Sequence, residues 1–159
     1  MRAVLFSCLL LLSASGLWAQ EKEIEIRQAG SFQLDEENFP GANILERSAT
    51  KQVHLVHQGM DVWSDKAFFY KKENRFHAFG NVRIIHNGVK MFCNKAYHFK
   101  DENYIKAFGN VQMNQGDTIT MNSRYAEYNG DKELAFATGD VVLRSPESIL
   151  TTDTVYFDK

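Results

Sequence analysis

Cysteine is almost missing from this sequence. There are two, Cys8 and Cys93, and Cys8 sits in an N-terminal apolar run of a kind removed on export. The one remaining thiol cannot close an internal disulfide, so the fold has to be held by its core. Cys93 reads as a small buried hydrophobe rather than a reactive group. Proline is also scarce, at two residues, and no low-complexity segment interrupts the chain. Charge of either sign is not in excess: 18 Lys and Arg face 20 Asp and Glu, for a net charge of -2. That balance lacks the basic footprint of a nucleic-acid binder and shows no acidic tail.

Chemical motifs are absent too. None of the spacings among the five histidines, His54, His57, His77, His86 and His98, suits a zinc site. His54 and His57, three apart in a strand, point to opposite faces. His57 and His86 stand beside turns and read there as ordinary polar turn residues. No nucleophile elbow and no phosphate-cradling glycine loop occurs. The acidic residues Asp61, Asp65, Asp101, Asp117, Asp131 and Asp153 fall at turns and outer positions rather than on one face. The expectation is no enzyme, no metal and no cofactor.

Long apolar runs are missing as well. The longest, from Ala3 to Leu12, is well short of the roughly 20 residues of a membrane-spanning helix. Preceded by Arg2 and followed by small residues up to Ala19, it has the layout of a secretory signal peptide. Cleavage after Ala19 gives residues 1–19 as signal and a single domain from Gln20 to Lys159. An uncleaved N-terminal anchor is the other reading. Cys8 lies inside the apolar run, which is the wrong place for a lipoprotein anchor.

What is present is a repeat. "HAFGNVRIIHNG" starts at His77 and "KAFGNVQMNQGD" at Lys106; Gly80, Gly109 and Gly139 are 29 and 30 residues apart, and Val82, Val111 and Val141 keep that interval. Ala67, Ala96 and Ala126 do the same, and "QVHLVHQG" from Gln52 matches "NVRIIHNG" from Asn81. A fixed period of about 29 residues signals a stacked architecture. Within each copy the period is two: Ala78, Val82 and Ile84 alternate with Phe79, Arg83 and Ile85, which predicts strands. Breaks such as Asn87-Gly88 and Asn129-Gly130 supply turns. A companion strand carries Val62, Met91, Met121 and Leu150 at one equivalent position, then Ser64, Cys93, Ser123 and Thr152, then, three on, Ala67, Ala96, Ala126 and Val155, and finally Phe69, His98, Tyr128 and Phe157. The step of three predicts a bulge or corner, and the mid-strand glycine a bend or close approach. Gly30 to Asp35 resembles Asp65 to Tyr70 weakly, with Phe32 and Leu34 facing inward, and a polar insert at about 35–48 follows. The predicted class is all-β: an elongated open β-jelly-roll of stacked, bent antiparallel strands with a ~29-residue repeat.

The repeated "A-x-G-N-V" strand ("HAFGNVRI", "KAFGNVQM", "FATGDVVL") and its companion ("DKAFFYKK", "NKAYHFKD", "RYAEYNGD", "TDTVYFDK") resemble the OstA-like family. That family groups periplasmic lipopolysaccharide-transport proteins with the soluble N-terminal domain of an outer-membrane translocon protein. The likeness covers roughly Val53 to Lys159, in series after a signal peptide. The long insert and His98 in the interior depart from its simplest members. The resemblance implies a β-jelly-roll whose V-shaped interior holds lipid acyl chains, a place in the periplasm, possible association with the outer membrane, and passage of lipopolysaccharide through partners joined end to end by edge strands. The chain is either whole at Lys159 or the N-terminal part of a longer one.

Alternation assigns the inner-face, lipid-binding candidates: Val62, Phe69, Val82, Ile84, Met91, Val111, Met113, Ile119, Met121, Tyr128, Val141, Leu143 and Leu150. Methionines suit an irregular apolar guest, and each acyl CH₂ buried is worth about 0.8 kcal/mol. A sealed sandwich gives the same alternation. The second reading is therefore a non-catalytic envelope scaffold or binding module that uses outward aromatics such as Phe68, Tyr97 and Tyr156. The stretch "ILTTDTVYFDK" has the look of an open edge, suited to strand addition by a second copy or by other transport proteins.

Overall fold

The computed structural model describes residues 23–99 and 104–158, so the signal segment lies outside the described residues. Among the described residues, twelve strands form one sheet: β1 (Glu25–Gln28), β2 (Ser31–Leu34), β3 (Asn43–Glu46), β4 (Val53–His57), β5 (Met60–Ser64), β6 (Lys66–Tyr70), β7 (Arg75–His86), β8 (Val89–Phe99), β9 (Tyr104–Gln115), β10 (Ile119–Asn129), β11 (Leu134–Arg144) and β12 (Ile149–Asp158). One 3-10 turn, Lys71–Glu73, joins β6 to β7. Every ladder is antiparallel and, from β7 onward, each strand pairs with its neighbour in sequence. Local pairing of this kind follows directly from the repeat, because each copy supplies a strand, a turn and a companion strand.

The corner in the middle of each long strand explains why the chain writes Gly-Asn or Gly-Asp at a fixed interval. Gly109 has φ +76° and Asn110 φ +48°, two consecutive left-handed residues. Only glycine enters that region without cost, and Asn or Asp tolerate it better than other residues. A Cβ on Gly109 would lie 2.6 Å from Nδ2 of Asn94 on β8, so the strands also approach closely here. Gly80-Asn81 and Gly139-Asp140 repeat the conformation. The register shifts at the same level in each ladder, between Phe79 and Val82, Phe92 and Lys95, and Thr138 and Val141. On β8 this is the step of three, with Cys93 and Ala96 both buried. In every pair the extra residue lies on the glycine-bearing strand, β7, β9 or β11, all at one height, and the sheet turns a corner there.

The corner divides the molecule into two walls. The first contains β2, β3 and β6 and the start of β7, since β6 pairs with 75–79. The second contains β1, β4 and β5 and the end of β7, since β5 pairs with 83–85. Both walls continue through β8 to β12. At the first corner the backbone N–H of Asp65 donates to the carbonyls of Phe79 (3.2 Å) and Gly80 (2.9 Å). Its carboxylate accepts from Arg47 (2.8 Å) and Asn81 (2.6 Å). Burial raises the Asp65 pKa, but hydrogen bonds from Asn81, Gln52 and Arg47 outweigh it and hold the group below its ordinary value.

The inner faces form one apolar core from Ile24 to Val141. The outer face of the first wall carries an aromatic ladder: Phe39, Phe68, Phe79, Tyr97, Phe108, Tyr125, Phe136 and Tyr156, with successive ring centroids 4.7–6.3 Å apart. The outward aromatics read from the sequence therefore cover one another across neighbouring strands, which stabilises a sheet without any ligand. Two details differ from the sequence reading. The insert contains a strand, β3, whose Leu45 is fully buried against Ala67 of β6. Phe32 pairs with Leu45 as an inner-face residue would, yet Phe32 and Leu34 are exposed because β2 is an edge with nothing beyond it among the described residues.

Candidate functional site

The site is the space between the walls. In a flat sheet, residues three strands apart are about 14 Å apart. Here β7 and β10, three strands apart, touch: Nδ1 of His86 lies 3.2 Å from the Tyr128 hydroxyl. His86 ends the second-wall half of β7 and Tyr128 belongs to the first-wall half of β10. β4 and β8 meet in the same way, with the His57 and His98 rings 4.9 Å apart, edge to face. The corner thus folds the sheet over until its inner faces meet.

Closure is uneven along the stack. Near the N-terminus, Leu55, Met60, Phe76 and Ile105 are buried to within 1%. His98 stacks on Phe76 at 4.9 Å and 3°, and Ile24 packs into the same core, anchored by its N–H to Oδ1 of Asn74 at 2.8 Å. Toward the C-terminus the walls part around a cavity of about 170 Å³, lined by Met113, Gln115, Ile119, Met121, Tyr128, Leu143 and Phe157, among others. At the last strand Ile149 is 69% and Leu150 46% exposed.

The thirteen inner candidates divide accordingly. Val62, Phe69, Val82, Ile84, Met91, Val111 and Val141 are buried as core. Met113, Ile119, Met121, Tyr128 and Leu143 come together around the cavity. Leu150 is exposed on β12.

Two histidines were misjudged by periodicity. His57 and His86 are not surface turn residues; they are 2% and 7% exposed, because the inward alternation continues to the last residue of β4 and of β7. His98 is fully buried, and neither ring nitrogen has a hydrogen-bond partner. Burial, with a smaller contribution from the neighbouring His57, pushes its pKa down to about 3. His86 is likewise held below its ordinary value by burial. His98 and His86 are thus neutral imidazoles in the interior. The equivalence of His57 with His86, and of His98 with Tyr128, was the available sequence signal. No group of three or more possible metal ligands occurs among the described residues, and among them no helix is long and apolar enough to cross a membrane. Burial raises the Cys93 pKa to about 12, which leaves the thiol unreactive.

Comparison with known proteins places this geometry. A family model described as OstA-like protein matches residues 21–86 and again 81–159. No curated protein matches the chain. Among solved structures, the fold is similar to LptH from Pseudomonas aeruginosa, described as the LptA-homologous periplasmic component of the lipopolysaccharide transport device. The TM-score is 0.63 at 14% identity, covering 87% of this chain and 96% of that one.

Proposed function

The chain belongs to the OstA-like family, and from that premise we propose that it is a periplasmic bridge protein for lipopolysaccharide transport, holding acyl chains between its walls. The observation that carries this reading is the largely apolar cavity at the C-terminal end of the stack, lined by Met113, Ile119, Met121 and Leu143. A dozen acyl carbons partly buried there, at about 0.8 kcal/mol each, supply several kcal/mol without any specific polar contact. Family and fold point to transport rather than catalysis. The outer edge of β12 has no ladder partner among the described residues. Strand addition there, by a second copy or by another transport protein, would extend both walls at once. Export by the N-terminal segment would deliver the chain to the periplasm.

A photo-crosslinking residue at Met113, inner and half-buried, and another at its outward neighbour Gln112 test the reading. With lipopolysaccharide added, an adduct at 113 and none at 112 is the expected result. Adducts at neither position would favour the envelope scaffold with a sealed core.

A further inference from the structure

The repeat extends to the contacts between the walls. His57 and His86 stand 29 residues apart, as do His86 and Gln115; His98, Tyr128 and Phe157 hold the equivalent series on the companion strands. The structure pairs them in order. His57 meets His98, His86 meets Tyr128, and Gln115 and Phe157 line the cavity together. These are three successive levels, or rungs, across the mouth of the fold, and at the first two a side-chain contact joins the second wall to the first. The first is packed shut. The second is tied by one side-chain hydrogen bond, with Tyr128 forming part of the cavity wall. The third has an amide on one wall and a hydrocarbon ring on the other, which can form no hydrogen bond to each other, and both line the cavity.

We propose that the His86–Tyr128 pair is a latch that sets how deep an acyl chain can reach, and so makes the resting protein selective for chain length. The inference rests on the lipid-holding reading above. An acyl chain entering from the C-terminal end fills the cavity beside Met113, Met121 and Leu143 and stops at the second rung. Going further requires the Tyr128 hydroxyl to leave His86, and the chain then runs along Ile84 and Met91 toward the first rung. Neither partner of the latch is charged at neutral pH, so a single ordinary hydrogen bond holds it. That makes it weak enough to yield to a longer chain when another force drives transport.

The test is the binding of a series of saturated fatty acids, from octanoate to palmitate, to the exported chain and its variants. In the wild type, affinity should rise with length and then level off once the cavity is full. In Tyr128→Phe, which keeps the ring and loses the hydroxyl, the affinity ratio of palmitate to octanoate should rise roughly fivefold, the equilibrium weight of one net hydrogen bond. His86→Leu should act in the same direction. Moving the latch outward with Gln115→His and Phe157→Tyr together should weaken octanoate and palmitate alike, with the circular dichroism of the fold retained. Identical length profiles in wild type and Tyr128→Phe, or equal strengthening at every length, would overturn the latch while leaving the lipid reading intact. Failure of the wild type to bind any fatty acid would remove both.

Discussion

The two ends of the molecule are built from the same repeat and end in opposite states. At the N-terminal end Phe76, His98, Leu55 and Ile105 fill the space between the walls. At the C-terminal end the equivalent copies leave a cavity, and Leu150 stands half in solvent. Backbone conformation does not make the difference, since all three corners carry the same glycine geometry. Two causes are visible. The first wall gains β2 and β3 and the second gains β1 and β4, with Ile24 inserted, only at the N-terminal end. The rungs also change in character, from two imidazoles in ring contact to an amide and a ring that both line the cavity. A regular β-repeat can thus be closed at one end and open at the other by added strands at one end together with side-chain choice at two positions per copy.

The sharpest test of this contrast is Phe76→Ala. The ring is fully buried and stacked on His98, and truncation of such a side chain costs about 3–5 kcal/mol. Urea denaturation of the variant should show that loss in midpoint with little change in slope. A loss under about 1 kcal/mol would mean the N-terminal end is no better packed than the other.

Acid should attack the closed end next. His98 takes up its proton near pH 6.5 in the unfolded chain and only near 3 in the fold. The unfolded state therefore binds more protons between those values, and stability is lost as pH falls through that window. The contribution is present in full above about pH 6.5. Each pKa unit is worth about 1.4 kcal/mol, so the effect amounts to a few kcal/mol by the bottom of the window. His98→Phe keeps a ring on Phe76 and removes the titration. Chemical denaturation at a series of pH values should give a flatter profile for the variant, and parallel profiles would show that His98 is not the buried neutral base. Comparing the two profiles cancels the carboxylates, including Asp65 and Glu127, whose pKa values also lie below their ordinary range.

The strand pattern was legible because period two and the 29-residue interval are local properties. Val62, Val82, Val111 and Val141 face inward as alternation requires. The bend was legible in the mid-strand glycine and the step of three, but how closely the walls meet was not, because glycine announces a bend without its direction or extent. That is why His57 and His86 looked like turn residues: nothing in the alternation says that another wall lies opposite. Cavity and core were inseparable for a related reason. Met91 and Met121 occupy one repeat position, and only the partners across the fold decide that Met91 is core and Met121 also lines the cavity. β3 was hidden in the insert because four residues are too few for a periodic signal.

The smallest expected effect lies at the open end. Leu150 sits on the last strand at 46% exposure, paired with Leu143 on β11. Half of its burial is already forgone, so Leu150→Ala should cost under about 1 kcal/mol, well below the core value for the same change. A small loss leaves the contrast between the ends as drawn. A loss approaching that of Phe76→Ala would mean that in solution Leu150 is covered. Repeating the measurement across a dilution series then separates the sources, because a covering second copy makes the loss depend on protein concentration and packing within one molecule does not. Concentration dependence would place strand addition at β12 in the isolated protein. Its absence, with a small loss, would mean that no second copy covers that edge in the isolated protein.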